Sequence, residues 1–222
     1  MQWYIDMGEI YNKPDVVGTT ADRMRSHMLY RLLAVLMMQN EREKVRAMRC
    51  LVRWLDNAFM TAPGWAGTFK PDGLGFHHKG IYAGAYSSPA YYGAAQLYHL
   101  LHNTPFALSE ISWANIRNAL LTYRAIANTY EVPTGINGRF PFDHFHLADI
   151  LAAYAFMALS GDPIDEEMAA VFMRLWKPES EIVQRELIRH ARVSISYMHT
   201  LGSLQLMMDL GAQSYDAEEA PV

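Results

Sequence analysis

The chain has 222 residues, of which 51% are hydrophobic and 19% are charged, with a formal net charge of -4 and a single cysteine, Cys50. This composition excludes a disordered chain, provides apolar residues for one good-sized core, and excludes an internal disulfide. The net charge argues against nucleic acid as a partner, and an anionic polymer would need a local basic patch. No apolar run is long enough to cross a membrane, since residues 29–38 are interrupted by Arg31, and no signal peptide is visible.

Two helices are predicted near the N-terminus, over residues 20–39 and 41–60, because apolar residues recur there at helical spacing. Thr19 or Thr20 can cap the first helix, and Asp22 is favourably placed in its first turn. His27 lies beside the apolar face of this helix, which is typical of a hydrogen-bonded boundary residue. The Lys and Arg residues of the second helix are interpreted as a solvated face and not as a site for a polyanion.

Helices are also predicted over residues 89–102, 109–129, 144–159 and 162–176, with a short helix at 179–190. Pro89 suits a first helical turn, Ser109 suits an N-cap, and Asp162 followed by Pro163 resembles a cap with proline at the first helical position. Residues 193–197 alternate like a strand. The fold class is therefore all-α, with helical hairpins around an axis in an incomplete (α/α) toroid. Residues 1–190 are assigned to this domain, and 191–222 to a C-terminal segment or linker.

The segment 69–92 is predicted to be one long loop, rich in Gly, Pro, His and Tyr. Loops of this length are uncommon and often functional, and the composition is unlike that of a solvated linker. Gly lets the backbone approach a ligand closely, whereas Tyr and His carry polar groups on apolar rings. The segment is predicted to line a cleft that binds a polar ligand. The alternative is that His77 and His78 are ordinary surface residues and that the tyrosines only pack.

Several short motifs of this segment resemble the polysaccharide lyases that cleave chondroitin and hyaluronan, most closely the chondroitin sulfate ABC lyases. The motifs are F-K-P-D-G at 69–73, F-H-H-K-G at 76–80, Y-A-G at 82–84 and Y-S-S-P-A at 86–90. The resemblance continues through residues 97–106 and N-G-R-F-P-F at 137–142, and it covers about residues 19–180. The combination of the H-H-K-G, Y-S-S-P-A and N-G-R-F-P-F motifs is its specific part.

The resemblance implies an α/α toroid with more hairpins than this chain supplies, followed by β-sandwich domains that are absent here. It implies a glycosaminoglycan as the substrate partner and the downstream β domains as partners within the full-length protein. It also implies a secreted or periplasmic bacterial protein. No cofactor is expected, although a divalent cation is left open.

The resemblance further implies β-elimination at a uronic acid. In that reaction the carboxylate is neutralised, a base removes the C5 proton, and an acid protonates the leaving oxygen. His78, Tyr86 and Arg139 match the family's catalytic histidine, tyrosine and arginine. Tyr86 is expected to act as base and then as acid, supported by Arg139, while His78 could be the base from the other face of the sugar ring. The spacing from His78 to Tyr86 is one residue longer than the family pattern, so Tyr82 is the alternative tyrosine.

Other residues are candidates for substrate binding. His27, His77 and Asn137 could hydrogen-bond the uronate carboxylate, although His77 stands where the family usually has an arginine. The aromatic rings that could stack on sugar faces are Trp65, Tyr91 and Trp113, and the last of these is more typical of a core residue.

Two alternatives to an active lyase remain open. The chain could be a non-catalytic carbohydrate-binding fragment, because the family's later catalytic glutamate has no recognised counterpart here. It could also be a glycoside hydrolase with Asp72 and Asp143 as the paired carboxylates, although Asp72 in Pro-Asp-Gly suits a turn. The histidines could suggest a metal, but no ligand set with suitable spacing is recognised in the sequence, so no metal site is predicted.

Overall fold

The computed structural model describes residues 6–192 and 200–213, and these are organised as helices around a helical core. The α-helices of this part of the chain are α1 (Ala21–Leu36), α2 (Glu41–Ala58), α3 (Ser88–Leu101), α4 (Glu110–Ile126), α5 (Leu151–Leu159), α6 (Glu166–Leu175), α7 (Glu181–Ala191) and α8 (Leu201–Gly211). The sheet within the same residues has two short strands, β1 (Phe76–His77) and β2 (Gly80–Ile81). The all-α prediction is confirmed.

Side-chain caps define where most of these helices begin. Thr20 accepts a hydrogen bond from the Arg23 backbone at the start of α1, as predicted. The caps of α2, α4, α6, α7 and α8 work in the same way and are Asn40, Ser109, Asp165, Ser180 and Thr200. Each cap satisfies a backbone N–H that has no partner within its helix.

Helices α3 and α5 form the centre of the core. Helix α3 contacts α1, α4 and α5, while α5 also contacts α6 and α8. Nearly every residue of α5 is buried, and its alanines allow neighbouring helices to approach closely. Consecutive helices therefore form hairpins that pack on a shared interior, which is consistent with the predicted incomplete toroid. No helix among the described residues combines the length and apolarity needed to cross a bilayer.

The structure corrects several predicted boundaries. The fifth helix was expected from residue 144, but His146 is extended and bridges to Glu131, so a 3-10 turn at Leu147–Ile150 precedes α5. The sixth helix begins at Glu166 because Asp165 caps it, and the Asp162–Pro163 peptide is a cis bond in the preceding turn. The fourth helix ends at Ile126, short of the predicted residue 129.

The segment 69–92 is not one irregular loop, as the sequence had suggested. It contains the β1–β2 hairpin and a π-helical turn, Ala83–Ser87, and α3 already begins at Ser88. The predicted strand at 193–197 and the final residues of the predicted linker lie outside the described residues. Within the described part of the C-terminal segment, α8 packs on α5 and α7.

Candidate active site

A tight hairpin turn presents His78. In the β1–β2 register His77 pairs with Gly80, so His78 and Lys79 form a two-residue turn, and their φ angles are 48° and 65°. Positive φ at both central positions is the geometry of a type I′ turn, which is sterically unfavourable for residues other than Gly. The turn leaves His78 exposed, whereas His77 is buried beneath it.

Gly75 allows the hairpin to lie directly on the start of α3. A side chain at this position would meet the Ser87 Cβ at 2.0 Å and the Tyr123 hydroxyl at 2.8 Å. The Tyr82 backbone N–H donates to the Gly75 carbonyl at 2.7 Å, which ties the end of the hairpin to the π-helical turn. The close approach therefore brings Tyr82 and Tyr86 beside the histidines.

Tyr86 lies at the centre of an aromatic and cationic cluster. Its ring stacks on His77 with centroids 4.6 Å apart, and His78 approaches at 5.8 Å with nearly perpendicular planes. The Arg25 guanidinium lies 4.6 Å from the centre of the same ring. Arg139 donates a hydrogen bond from Nη2 to the Tyr86 hydroxyl oxygen at 2.5 Å. The phenolic oxygen thus has a guanidinium donor that would stabilise negative charge on it.

The second Gly/Pro loop supplies Arg139 by lying on the ring of Tyr82. Gly138 has a φ of 63°, and a Cβ there would lie 2.3 Å from the Tyr82 ring. Only glycine fits this combination of left-handed backbone and direct ring contact. The next residue, Arg139, is thereby directed at Tyr86.

Asn137 anchors the same loop from inside. It is 1% exposed, and its Nδ2 donates to the Asp143 carbonyl at 2.8 Å. Its Oδ1 has no hydrogen-bond partner within the described residues and faces Gly84. Asn137 and Gly84 both line a cavity of about 230 Å³. The amide is therefore held rigidly beside the cluster.

Two residues of α1, Asp22 and Arg25, complete the cluster, and no sequence motif had indicated that they belong to it. Asp22 Oδ2 lies 3.4 Å from Nε2 of His77, and Asp22 Oδ1 accepts two hydrogen bonds from Arg25 at 2.7 and 2.9 Å. Burial lowers the pKa of His77, and the neighbouring His78 lowers it further, whereas Asp22 opposes both effects. The i, i+3 spacing of Asp22 and Arg25 was the signal for a shared helix face.

A cleft of about 450 Å³ opens beside the histidines. Trp65 lines it and is 72% exposed, with its ring centroid 6.1 Å from that of Phe76. Lys13 and Arg23 line it together with Glu9 and Asp15, and Arg23 forms an ion pair with Glu9 at 2.7 Å. Trp65 is therefore available for stacking, next to the cluster.

Three other candidates lie elsewhere. His27 is half-buried, contacts Ser26 at 2.9 Å, and has its pKa lowered by burial and by Arg31. Tyr91 is fully buried, so the suggestion that it stacks on a sugar is wrong. Trp113 is half-buried against the core, which agrees with its interpretation as a core residue.

The carboxylate pair of the hydrolase alternative finds no support in the local geometry. Asp72 Oδ1 accepts a hydrogen bond from the backbone of Leu74 at 3.0 Å, which is the behaviour of a turn residue. Asp143 is exposed in the second loop, and its backbone carbonyl accepts a hydrogen bond from Asn137.

Comparison with known proteins shows which family this chain is similar to. A family model described as "Lyase, catalytic" matches residues 1–181. A chondroitin sulfate ABC exolyase from Bacteroides thetaiotaomicron is 32% identical over 190 residues, which are 83% of this chain and 18% of that protein. An exolyase of the same kind from Proteus vulgaris is 28% identical over 181 residues, 79% of this chain and 18% of that protein. A chondroitin sulfate ABC endolyase from Proteus vulgaris is 29% identical over 146 residues, 64% of this chain and 14% of that protein. The chain thus spans less than a fifth of the length of these relatives.

Proposed function

Because the chain belongs to the family of lyase catalytic domains, we propose that it is the catalytic portion of a polysaccharide lyase that cleaves chondroitin or dermatan sulfate, with hyaluronan as a further substrate. The observation that carries the proposal is the contact between Arg139 and the Tyr86 hydroxyl beside His78. Two loops that are distant in the sequence meet at this point. A secreted or periplasmic location, and downstream β domains in the full-length protein, are parts of the same proposal.

The reaction is a β-elimination at the uronic acid. A base takes the C5 proton, the electrons form the C4–C5 double bond, and the C4–oxygen bond breaks. An acid then protonates the leaving oxygen. The base must be a phenolate or a neutral imidazole near the sugar, and the acid must carry a proton close to the C4–oxygen bond that breaks.

Tyr86 fits the roles of base and acid because its oxygen can, as the phenolate, accept the C5 proton and, as the phenol so formed, return that proton to the leaving oxygen. Arg139 donates a hydrogen bond directly to this oxygen and is the charged group in contact with it during proton transfer. Tyr82 is the weaker candidate, since its ring is buried beneath Gly138.

His78 fits the role of a base that works from another side of the sugar. It is exposed on the turn, and its ring lies almost perpendicular to that of Tyr86. The two epimeric uronic acids, glucuronate and iduronate, present the C5 proton on opposite faces and would each need a base, for which Tyr86 and His78 are the two candidates. Dermatan sulfate is therefore part of the proposal alongside chondroitin sulfate.

The carboxylate and the sulfates require donors and positive charge. The Asn137 amide has a second N–H on Nδ2, and His77 lies between Tyr86 and His78. We assign both to the neutralisation of the uronate carboxylate. Lys13 lines the adjoining cleft and suits a sulfate, while Trp65 suits a sugar face.

A second candidate function is carbohydrate binding without turnover. It is favoured by the absence of a recognised counterpart of the family's later catalytic glutamate in this sequence. In that case the cleft and Trp65 would hold the polymer, but the elimination would not be completed.

The test is to incubate the chain with chondroitin sulfate and follow the ultraviolet absorbance of the unsaturated uronate. We expect the absorbance to rise, and Tyr86→Phe to reduce the rate by about 10²- to 10⁴-fold because it removes the proton-transferring hydroxyl. Tyr91→Phe is the matched control, since its hydroxyl is buried against the Gly73 carbonyl and should not affect the rate.

The same samples should be titrated with chondroitin sulfate oligosaccharides in a calorimeter. Binding without any product would support the carbohydrate-binding alternative and overturn the lyase proposal for this chain. Full activity in Tyr86→Phe would overturn the assigned chemistry. Neither binding nor product from a folded chain would reject both functions.

A further inference from the structure

Asp22, His77 and His78 bring three potential metal ligands together next to Tyr86. One ligand atom from each residue lies within 4.8 Å of the other two. The carboxylate comes from the first turn of α1, and both imidazoles come from the hairpin. We propose that these three side chains bind a divalent transition-metal ion of the zinc class.

The buried histidine is already in position for such an ion. His77 is 7% exposed, and its Nε2 makes no hydrogen bond of normal geometry within the described part of the chain. A buried polar nitrogen that has only a long contact with a carboxylate is poorly satisfied, and a bound ion would satisfy it. The atom nearest to this nitrogen among the proposed ligands is Asp22 Oδ2, at 3.4 Å.

That separation matches the geometry of a tetrahedral zinc site. Zinc lies about 2.0–2.1 Å from nitrogen and oxygen ligands, so two ligands at the tetrahedral angle are about 3.3 Å apart. Asp22 and His77 therefore span one edge of such a site. His78 lies on the exposed turn, and a small movement of that turn brings its nitrogen to the same ion.

Arg25 orients the carboxylate for this role. Its guanidinium donates twice to Asp22 Oδ1 and leaves Oδ2 directed at His77. A hydrogen-bonded carboxylate of this kind is the usual support for a metal ligand. The positive charge of Arg25 also opposes a cation, so the two imidazoles must supply most of the affinity.

The donor set selects the class of metal. Mg²⁺ and Ca²⁺ prefer oxygen ligands, whereas imidazole suits Zn²⁺, Co²⁺ and related ions. Three protein ligands leave a fourth position for a water molecule or another ligand. The distance along the chain between Asp22 and the histidines explains why no ligand spacing was recognised in the sequence.

The consequence for activity rests on the proposed function. A nitrogen of His78 bonded to a metal cannot take the C5 proton, and the ion would also compete with the sugar for His77. Metal binding at this site should therefore inhibit the lyase reaction rather than assist it.

The experiment uses Co²⁺ with the untagged chain, because its visible absorption reports coordination geometry without any turnover. We expect one tight Co²⁺ equivalent with the intense bands of a tetrahedral site, displaced by Zn²⁺. His77→Ala, and separately Asp22→Asn, should weaken this binding by at least about tenfold. His144→Ala, which removes an exposed histidine of the second loop, is the control and should leave the spectrum unchanged.

His78→Ala keeps the test valid if the buried His77 variant fails to fold, because His78 lies on an exposed turn. Unchanged Co²⁺ affinity in His78→Ala and Asp22→Asn, or weak octahedral spectra in the unmodified chain, would overturn the inference. The ratio of product formation with and without Zn²⁺ tests the inhibitory role, and activity insensitive to bound metal would reject that role. The metal spectrum does not depend on turnover, so failure of the proposed function would be seen separately.

Discussion

The tyrosines of the cluster and the tyrosines of the helical core show how one residue type serves two roles. Tyr91 and Tyr123 are fully buried, and burial raises the pKa of both phenols far above the ordinary value. The Tyr123 hydroxyl donates to the Ala83 carbonyl at 2.9 Å. Tyr86, only a few residues from Tyr91, is partly exposed and faces two guanidinium groups.

The difference comes from where the backbone places each ring. Tyr91 lies on α3, where it is enclosed by helices, and a neutral hydroxyl bonded to a carbonyl is the only stable state there. Tyr86 lies in the π-helical turn before α3, which directs its ring toward the loops. The candidate site therefore depends on the irregular turn, whereas the stability of the chain depends on the helices that follow.

Truncating a core tyrosine and the cluster tyrosine to alanine should separate the two roles. Tyr123→Ala removes a fully buried ring and its hydrogen bond, and it should reduce the free energy of unfolding by about 3–5 kcal/mol. Tyr86→Ala removes a ring at the cleft and should cost much less stability, while it abolishes product formation. Urea unfolding and the ultraviolet assay, applied to both variants, measure the two effects.

An equal loss of stability in the two variants would contradict this separation. Such a result would mean that the Tyr86 cluster is part of the hydrophobic core and not a separate surface site.

The sequence was sufficient for the helices and for part of the site. Helical spacing and capping residues located the starts of α1, α2 and α4 to within one residue, because those signals are local. The motifs identified His78, Tyr86 and Arg139, and the structure brings these three together. Their catalytic roles stay a prediction.

Other features could not be seen because they depend on contacts between distant segments. Asp22 and Arg25 belong to the cluster because α1 packs beside the hairpin. No short sequence motif indicates that contact between the helix and the hairpin. The start of α5 was misplaced because His146 pairs with Glu131 instead of entering the helix. Tyr91 was misjudged because composition cannot tell a ring in the cleft from a ring in the core.

A smaller effect concerns the loop that positions Arg139. Gly138→Ala must place a methyl group against the Tyr82 ring at a φ of 63°, so the loop has to shift. We expect a loss of stability of about 1–3 kcal/mol and a reduced rate of product formation, because Arg139 moves away from Tyr86. Gly135→Ala is the matched control, since a Cβ there meets no atom within 4 Å.

Crystal structures or melting curves of both glycine variants would show whether the loop moved. Activity in Gly138→Ala equal to that of Gly135→Ala would show that the Arg139–Tyr86 contact does not depend on this loop geometry.

The smallest expected effect extends the comparison from tyrosines to histidines. His99 on α3 lies among core groups, with Nδ1 3.1 Å from the Ser160 hydroxyl, and burial followed by His102 lowers its pKa. The unfolded chain therefore takes up a proton first as the pH falls below about 6.5, so that the free energy of unfolding decreases with falling pH. His99→Gln should make this decrease shallower, as measured by melting temperature between neutral and mildly acidic pH. His144→Gln changes an exposed histidine and should keep the pH dependence of the melting temperature of the unmodified chain. The same pH dependence in His99→Gln would show that His99 makes no contribution to it.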